Sequence, residues 1–564
     1  MQGDESLRFP LDFYQGMKKL QVIAFEKLEY PVVPTSFQCS TNLRTLCLDK
    51  CSLMFDLTCI GNLSNLEVLS FANSGITILP STFGNLKKLR LLDATGCYNL
   101  VIDDGVLKNM EKLEELYMRS FGKKACCFTD NNGNELAERS EHLSALELEF
   151  VGNNAPLKNL SFKELNGFKL SVGCHFTEVG WRHRSQELLK SKINELFKMT
   201  DALYLQVYDM NTLEDVDVES PHPQHHPRNS SFYNLRFLVV SECAELKYLF
   251  TPSVATNLSN LEYLEISRCP IMEAVIHTEN DGSDIIKFSN LKYLRLDALP
   301  NLLSFCDNVS VIELPRLMEL QLKGLQNLTS IYPSSASSSS VSSNISGVQY
   351  FFHKEDATPK LEKLFVSDMK ILKEIWPPQF SISNLCLLRE LTVEHCGSIV
   401  VLFSMDFGEI EHLSSSLRSI EVIECGSLVN LLPRNPMPLF NHLEKLKVEN
   451  CASVEVIFDI DMGCVGETDK VSSSRLRSIR LRRLGKLREV WRIKDAGNNL
   501  IHGFEAVESI DIKDCERFEN IITPPTTILD MRALKQVTII RCGGESERND
   551  EMVESKQEQE MAEQ

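Results

Sequence analysis

The chain has 564 residues, 43% of them apolar and 24% charged, with a net charge of −19. That acidity argues against bulk affinity for nucleic acid or anionic lipid, and no uncharged apolar run of about 18 residues suits a membrane helix. The opening Met1-Gln-Gly-Asp-Glu-Ser lacks the basic and apolar regions of a secretory leader, so the 18 cysteines are expected as free thiols in the cytosol.

In chain order, a skeleton L-x-x-L-x-L recurs from the start. Its first copies are Leu20/Ile23/Phe25 and Leu43/Leu46/Leu48, then Leu66/Leu69/Phe71 and Leu89/Leu92/Ala94. The last two lie 23 residues apart. Alternating apolar residues at the second and third positions make a short strand with one buried face. A single such unit cannot bury that face alone, so neighbours must stack on it. Period and skeleton together are those of leucine-rich repeats.

Leu113/Leu116/Met118 and Leu143/Leu146/Leu148 continue the series. Two weaker copies follow, Leu165/Phe168/Leu170 and Ala202/Leu205/Val207, separated by an irregular stretch carrying Trp181. Regularity returns with copies beginning at Leu235, Leu261, Leu291, Leu317, Leu361, Leu388, Leu417, Leu443, Leu476, Val507 and Leu534, which brings the total to 19. The expected fold class is therefore α/β, a leucine-rich-repeat solenoid shaped as a horseshoe. A parallel sheet lines its concave face, and mostly loops and 3₁₀ turns fill its convex side.

The expected organisation is N-terminal repeats over 1–219, irregular at 150–219, then a Pro/His loop at 220–232. C-terminal repeats occupy 233–543 with a Ser-rich insertion at 333–347, and 544–564 form a disordered acidic tail. The later copies end on an aromatic or apolar residue. Trp376 and Trp491 share that slot, which makes them convex-side core.

Nine cysteines occupy one slot, three residues beyond the third skeleton position: Cys51, Cys97, Cys243, Cys269, Cys396, Cys425, Cys451, Cys515 and Cys542. The repeat wants Asn or Cys near there, and a small thiol tolerates burial while donating weakly to a carbonyl. No C-x-x-C supports a zinc ribbon, and His222, His225 and His226 sit in a proline-flanked loop that gives them no fixed geometry. No metal site is expected. N-x-S/T sequences such as Asn62 and Asn257 arise from the repeat itself, which writes Asn-Leu-Ser before its leucines.

Phosphate-loop, H-E-x-x-H, G-x-S-x-G and kinase signatures are all missing from the sequence. The chain reads as a non-enzyme with no cofactor of its own. What remains for function is the concave array of skeleton-flanking residues. In the first part these are Arg44, Glu67, Arg90, Glu114 and Tyr117; further on come Tyr263, Glu265, Tyr293, Arg295, Lys323 and Phe365. Arg477, Arg480, Arg482 and Arg483 form a basic run suited to an acidic protein surface. Tyr, Phe and Arg are the expected anchors for a protein partner, with no nucleic acid and no membrane.

Gly16-Met-Lys-Lys-Leu-Gln-Val-Ile, Thr41-Asn-Leu-Arg-Thr-Leu-Cys-Leu-Asp-Lys-Cys51 and Leu113-Glu-Glu-Leu-Tyr117 resemble the repeat region of plant coiled-coil nucleotide-binding (NB-ARC) leucine-rich-repeat disease-resistance proteins. So do Leu246-Lys-Tyr-Leu-Phe-Thr-Pro252, Leu372-Lys-Glu-Ile-Trp376 and Leu487-Arg-Glu-Val-Trp491, and the likeness is to the lettuce-type resistance gene candidates. The resemblance implies a cytoplasmic immune receptor whose repeats sense a pathogen effector or a guarded host protein and hold an ATPase switch off. It also implies that ADP or ATP would bind a nucleotide-binding domain, whose motifs this sequence lacks, and that such a domain is itself a partner. Two alternatives remain: a repeat-only scaffold or inhibitor of a host protein with no immune role, and a secreted or membrane receptor ectodomain, which free thiols would dismiss.

Overall fold

The computed structural model describes residues 12–28, 42–51, 56–97, 100–119, 129–151, 167–173, 197, 199–207, 210–213, 232–328, 360–376, 387–403, 416–432, 442–462, 475–495 and 500–543. The three loop histidines, Trp181, the serine run and the acidic tail lie outside this set. The chain divides into two compact units, one of residues 1–246 with 256–269 and the other of residues 247–255 with 270–564.

The first unit is built on parallel strands that each come from one repeat. Val22–Glu26 pairs with Thr45–Asp49, which pairs with Val68–Ser70, and so on through Leu91–Asp93, Glu115–Met118 and Ala145–Val151. Gly167–Gly173, Ala202–Gln206, Phe237–Ser241 and Tyr263–Ser267 complete it. In the second unit Tyr293–Asp297, Glu319–Lys323, Lys363–Ser367, Glu390–Glu394 and Ser419–Ile423 pair in chain order. Lys445–Glu449, Ser478–Arg482, Ser509–Lys513 and Gln536–Ile540 follow.

The skeleton explains the core. In Thr45–Asp49 the alternation is intermediate, buried, intermediate, buried, intermediate, and the same pattern recurs in Tyr263–Ser267, Ser419–Ile423 and Ser509–Lys513. Leu46, Leu48, Leu264, Ile266, Ile420 and Val422 have no exposed surface. Each such side chain contributes about 1.5–3 kcal/mol by leaving water. The solenoid and its parallel sheet are as the sequence implies.

One frame expected from sequence is wrong. Leu203 pairs with Leu238 and Leu205 with Val240, so the eighth skeleton is Thr200/Leu203/Leu205 rather than Ala202/Leu205/Val207. The amide of Thr200 donates to the Phe197 carbonyl just as that of Leu235 donates to Phe232, at 3.1 Å in both repeats. A two-residue slip leaves the buried face apolar, because side chains alternate with period two. The neighbouring strand absorbs the stagger. Leu170 faces Leu148 on one side and Leu203 on the other, whereas Phe168 faces Leu146 and Val172 faces Leu205.

A second regularity was not visible in the sequence. The residue after the strand is left-handed in repeat after repeat, with φ between 53° and 57° at Lys50, Glu242, Arg268, His395, Glu424, Asn450 and Asp514 among others. This turn swings the next residue inward, and that residue is the cysteine slot. Cys51, Cys97, Cys243, Cys269, Cys396, Cys425, Cys451 and Cys515 are buried free thiols, with Cys542 half-buried. Except at Cys97, whose Sγ donates to the Phe71 carbonyl, their Sγ atoms lie within donor range of the carbonyl two residues back, 3.2 Å from Glu394 for Cys396 and 3.4 Å from Glu449 for Cys451. The structural role expected of these thiols holds.

The return side is mostly loops and short turns, as expected, with some further order among them. The 3₁₀ segments Leu57–Asn62 and Ser81–Asn85 are there, but so are the helices Asp130–Arg139 and Pro252–Asn257. Strands also stack there, Tyr248–Phe250 on Ala274–Lys287 on Ser304–Glu313, and Val456–Asp461 on Glu489–Lys494 on Asn520–Thr523. Apolar and aromatic residues at the end of the repeat unit favour extended backbone. Trp376 and Trp491 are 1% and 0% exposed, and Trp491 stacks on Phe458 with ring centroids 5.3 Å apart.

Candidate functional site

The alternation that buries leucine leaves the first, third and fifth strand residues, with the residue just before the strand, on the solvent face of the sheet. The residue before the strand carries the most ordered chemistry. Arg44 pairs with Glu67 at 3.2 Å, Arg90 with Glu114 at 2.6 Å, and Arg236 with Glu262 at 2.7 Å. In the second unit Arg389 pairs with Glu362 at 3.3 Å and Lys535 with Glu508 at 2.9 Å. Within these pairs charge alternates from one repeat to the next, forming short ladders.

Arg44, Glu67, Arg90 and Glu114 are on the solvent face but are committed to one another. Arg90 holds the Glu114 carboxyl below its ordinary range through its hydrogen bonds. Arg482 reaches Asp511 at 2.7 Å and Arg480 approaches it at 3.8 Å, so the basic run is partly neutralised by the next repeat. Arg477 precedes its strand beside Glu508. Arg483 lies off the strand altogether, in the left-handed turn at φ 53°.

The other expected residues form a column in mid-strand or beside it. Tyr117 donates to Glu115 at 2.6 Å, and Tyr263 donates to Glu265. Arg295, Gln321 and Phe365 stand in register across three successive strands, with Tyr293 and Lys323 at the two ends of theirs. Tyr293 is 39% exposed.

On the densest part of this face the sequence names Tyr117 and Tyr263 but not Tyr204, Phe237 or Asp93. Tyr204 was misplaced by the two-residue slip; it lies in the mid-strand column, with the Arg119 guanidinium 4.0 Å from its ring centroid. Phe237 and Tyr263 are neighbours on the face, 6.2 Å between centroids. Asp93, Tyr117, Glu147 and Lys169 make one row across four strands. Burial lifts the Asp93 carboxyl above its usual range despite hydrogen bonds from Thr95, and the charges of Asp49 and Glu147 push the same way.

Among the described residues one group could hold a cation. His502 Nδ1 lies 3.3 Å from both Glu505 and Asp530. Arg532 already clasps Asp530 through two hydrogen bonds, so the group is an ion-pair cluster with its counter-charge supplied.

A protein-family model, the leucine-rich repeats of plant disease resistance proteins of the RPS2-like type, matches residues 183–270, 205–342 and 407–543, more than half of the chain. The chain belongs to this family. These RPS2-like repeats are typically non-catalytic protein-interaction modules. No curated protein matches in a sequence comparison. Among solved structures, the leucine-rich-repeat protein LIC12759 of Leptospira interrogans is 14% identical over 92% of this chain and 88% of its own, at a TM-score of 0.32. A TDR receptor is 16% identical over 95% and 87%, at 0.40, and PEPR1 in complex with AtPEP1 is 15% identical over 95% and 88%, at 0.32.

Proposed function

We propose that this chain is the recognition module of a plant immune receptor acting in the cytosol. Its sheet face senses a pathogen effector or a guarded host protein, and its contacts with a nucleotide-binding domain hold that domain's ATPase switch off. The observation that carries the reading is the family match across both units, set beside a solvent face whose side chains are released from core packing. Core slots are fixed by stacking, whereas the face can vary at much smaller cost to the fold. ADP or ATP belongs to the partner domain; this chain supplies no phosphate loop. No helix of the described residues is long and apolar enough to cross a membrane.

The test joins this chain to a nucleotide-binding domain of a resistance protein and measures ATP turnover and cell death in leaves. The reading expects low turnover with the chain present and high turnover when it is deleted. Equal turnover in both arms, with no effector-dependent death, would sink the immune role and leave a repeat scaffold binding a host protein.

A further inference from the structure

We propose that the sheet face of the first unit, from the Asp93 strand to the Tyr263 strand, docks an extended Lys/Arg-bearing segment of a partner protein. The inference rests on the sheet face being the recognition surface and adds the chemistry of what it recognises.

The face is negative after its own ion pairs are removed. Arg90 cancels Glu114, Lys169 cancels Glu147 and Arg236 cancels Glu262. Asp93 and Glu115 have no ion-pair partner among the described residues, and both are half-buried. Burial above all, and the charges of Asp49 and Glu147 after it, raise the cost of charging Asp93, so an arriving cation would lower that cost. In the second unit more of the face carboxylates are matched, Lys363 with Glu390 at 2.9 Å, Lys445 with Glu421 at 2.5 Å and Arg482 with Asp511 at 2.7 Å, while Glu319 and Glu394 stand without an ion pair among the described residues.

Aromatic rings supply the second, independent observation. Tyr204, Phe237 and Tyr263 follow Tyr117 along the same face, and the chain's own Arg119 guanidinium already sits over Tyr204 at 4.0 Å. A guanidinium stacked on a ring beside carboxylates is how a basic side chain is held with its charge partly desolvated. The face spans six strand-to-strand steps, about 29 Å at roughly 4.8 Å each, which about nine extended residues would cross. Charge complementarity on such a surface sets partner choice and encounter rate.

The experiment uses the full chain and fluorescence anisotropy with a labelled twelve-residue Gly-Arg repeat peptide, against the same peptide with Glu in place of Arg. The arginine peptide is expected to bind and the glutamate peptide not to. Asp93→Asn combined with Glu115→Gln, which keeps shape and removes charge, should weaken binding by about tenfold, and Tyr204→Ala by a similar factor. Glu508→Gln in the second unit should change it by less than about twofold, since distant charges are screened. Equal binding of both peptides, or equal losses at Asp93/Glu115 and Glu508, overturns the proposal. If the arginine peptide fails while a partner protein protects the second unit's sheet face from labelling, this inference falls and the recognition reading stands. If a partner protects only the return side, both fall.

Discussion

Arg90 and Glu114, one repeat apart, meet through both ends of a guanidinium–carboxylate pair: Nε donates to Oε1 at 2.9 Å and a terminal nitrogen to Oε2 at 2.6 Å. Both are largely exposed, and exposed pairs contribute little to stability. The ladder matters for which neighbours are tolerated. Arg90→Ala should leave the urea midpoint nearly unchanged. Arg90→Glu places a third carboxylate between Glu67 and Glu114 and should lower the midpoint, with recovery in about 1 M salt, where such repulsion is screened. A loss that persists in high salt would show that packing, not charge, had been disturbed.

Asp93 gives a pH dependence of the opposite sign to that of the paired carboxylates. Its folded carboxyl titrates above the unfolded value of 3.8, so the charged form costs stability at neutral pH. That cost fades as pH falls through the folded value and is gone below the unfolded one. Asp93→Asn should therefore raise the denaturation midpoint at pH 7, with the gain shrinking as acid is added. Glu114, Glu508 and Asp514 are held below their ordinary range by hydrogen bonds from Arg90, Lys535 and Arg541. Their contribution is full above the unfolded carboxylate range and is lost as pH falls beneath it. Midpoints of Asp93→Asn and the parent measured from pH 3 to 7 would separate the two behaviours; a gain that grows on acidification refutes the assignment.

Stacking was legible in the sequence because it depends on a few side chains at fixed spacing, Leu46 and Leu48 among them. The frame at Leu203 was not, since Ala202, Leu203, Leu205 and Val207 are all apolar and two frames two residues apart bury the same face. Nor was the commitment of Arg44 to Glu67, because the partner is 23 residues away and sequence alone does not say that equal slots touch. Tyr117 and Tyr263 were legible on the face, but Tyr204 was lost to the wrong frame, and Asp93 reads as an ordinary strand-end acid until Tyr117 and Glu147 are seen beside it.

The thiol slot predicts chemical silence. Burial pushes Cys97, Cys396 and Cys515 up to about 12, so almost no thiolate is present at neutral pH. In native protein a thiol-reactive disulfide reagent followed by mass spectrometry should leave these three and Cys451 unlabelled over minutes, while the half-buried Cys542 reacts. All should react in guanidinium. Native labelling of Cys396 at the rate of Cys542 would contradict a closed core.

The left-handed turn after the strand makes paired predictions at two neighbouring repeats. Gly324 holds φ 65° and Ala298 holds φ 53° at the same slot. A Cβ at Gly324 would meet only the Ala298 backbone at 3.4 Å, an ordinary contact, so strain rather than space decides the outcome. Gly324→Ala should cost about 1 kcal/mol, the usual penalty for a β-carbon in this region. Ala298→Gly should gain a smaller amount, since added backbone freedom in the unfolded chain offsets part of the relief. Urea midpoints of the two variants should move in opposite directions; movement in the same direction would mean that the turn is not the controlling feature.

Trp491 is the largest wager of the return side. It is fully buried, stacked on Phe458 and edge-on to Phe504 at 5.4 Å, and its indole N–H has no hydrogen-bond partner among the described residues. Trp491→Ala should cost about 3–5 kcal/mol through lost burial and a residual cavity. Trp491→Phe should cost clearly less, because the smaller ring keeps the aromatic stack while discarding an unpaired polar group. Equilibrium unfolding followed by circular dichroism checks both, without relying on the tryptophan signal that the substitutions remove. If the phenylalanine variant proved as damaging as the alanine one, the N–H must have a partner in the folded chain, and the packing assigned here to Phe458 and Phe504 would need revision.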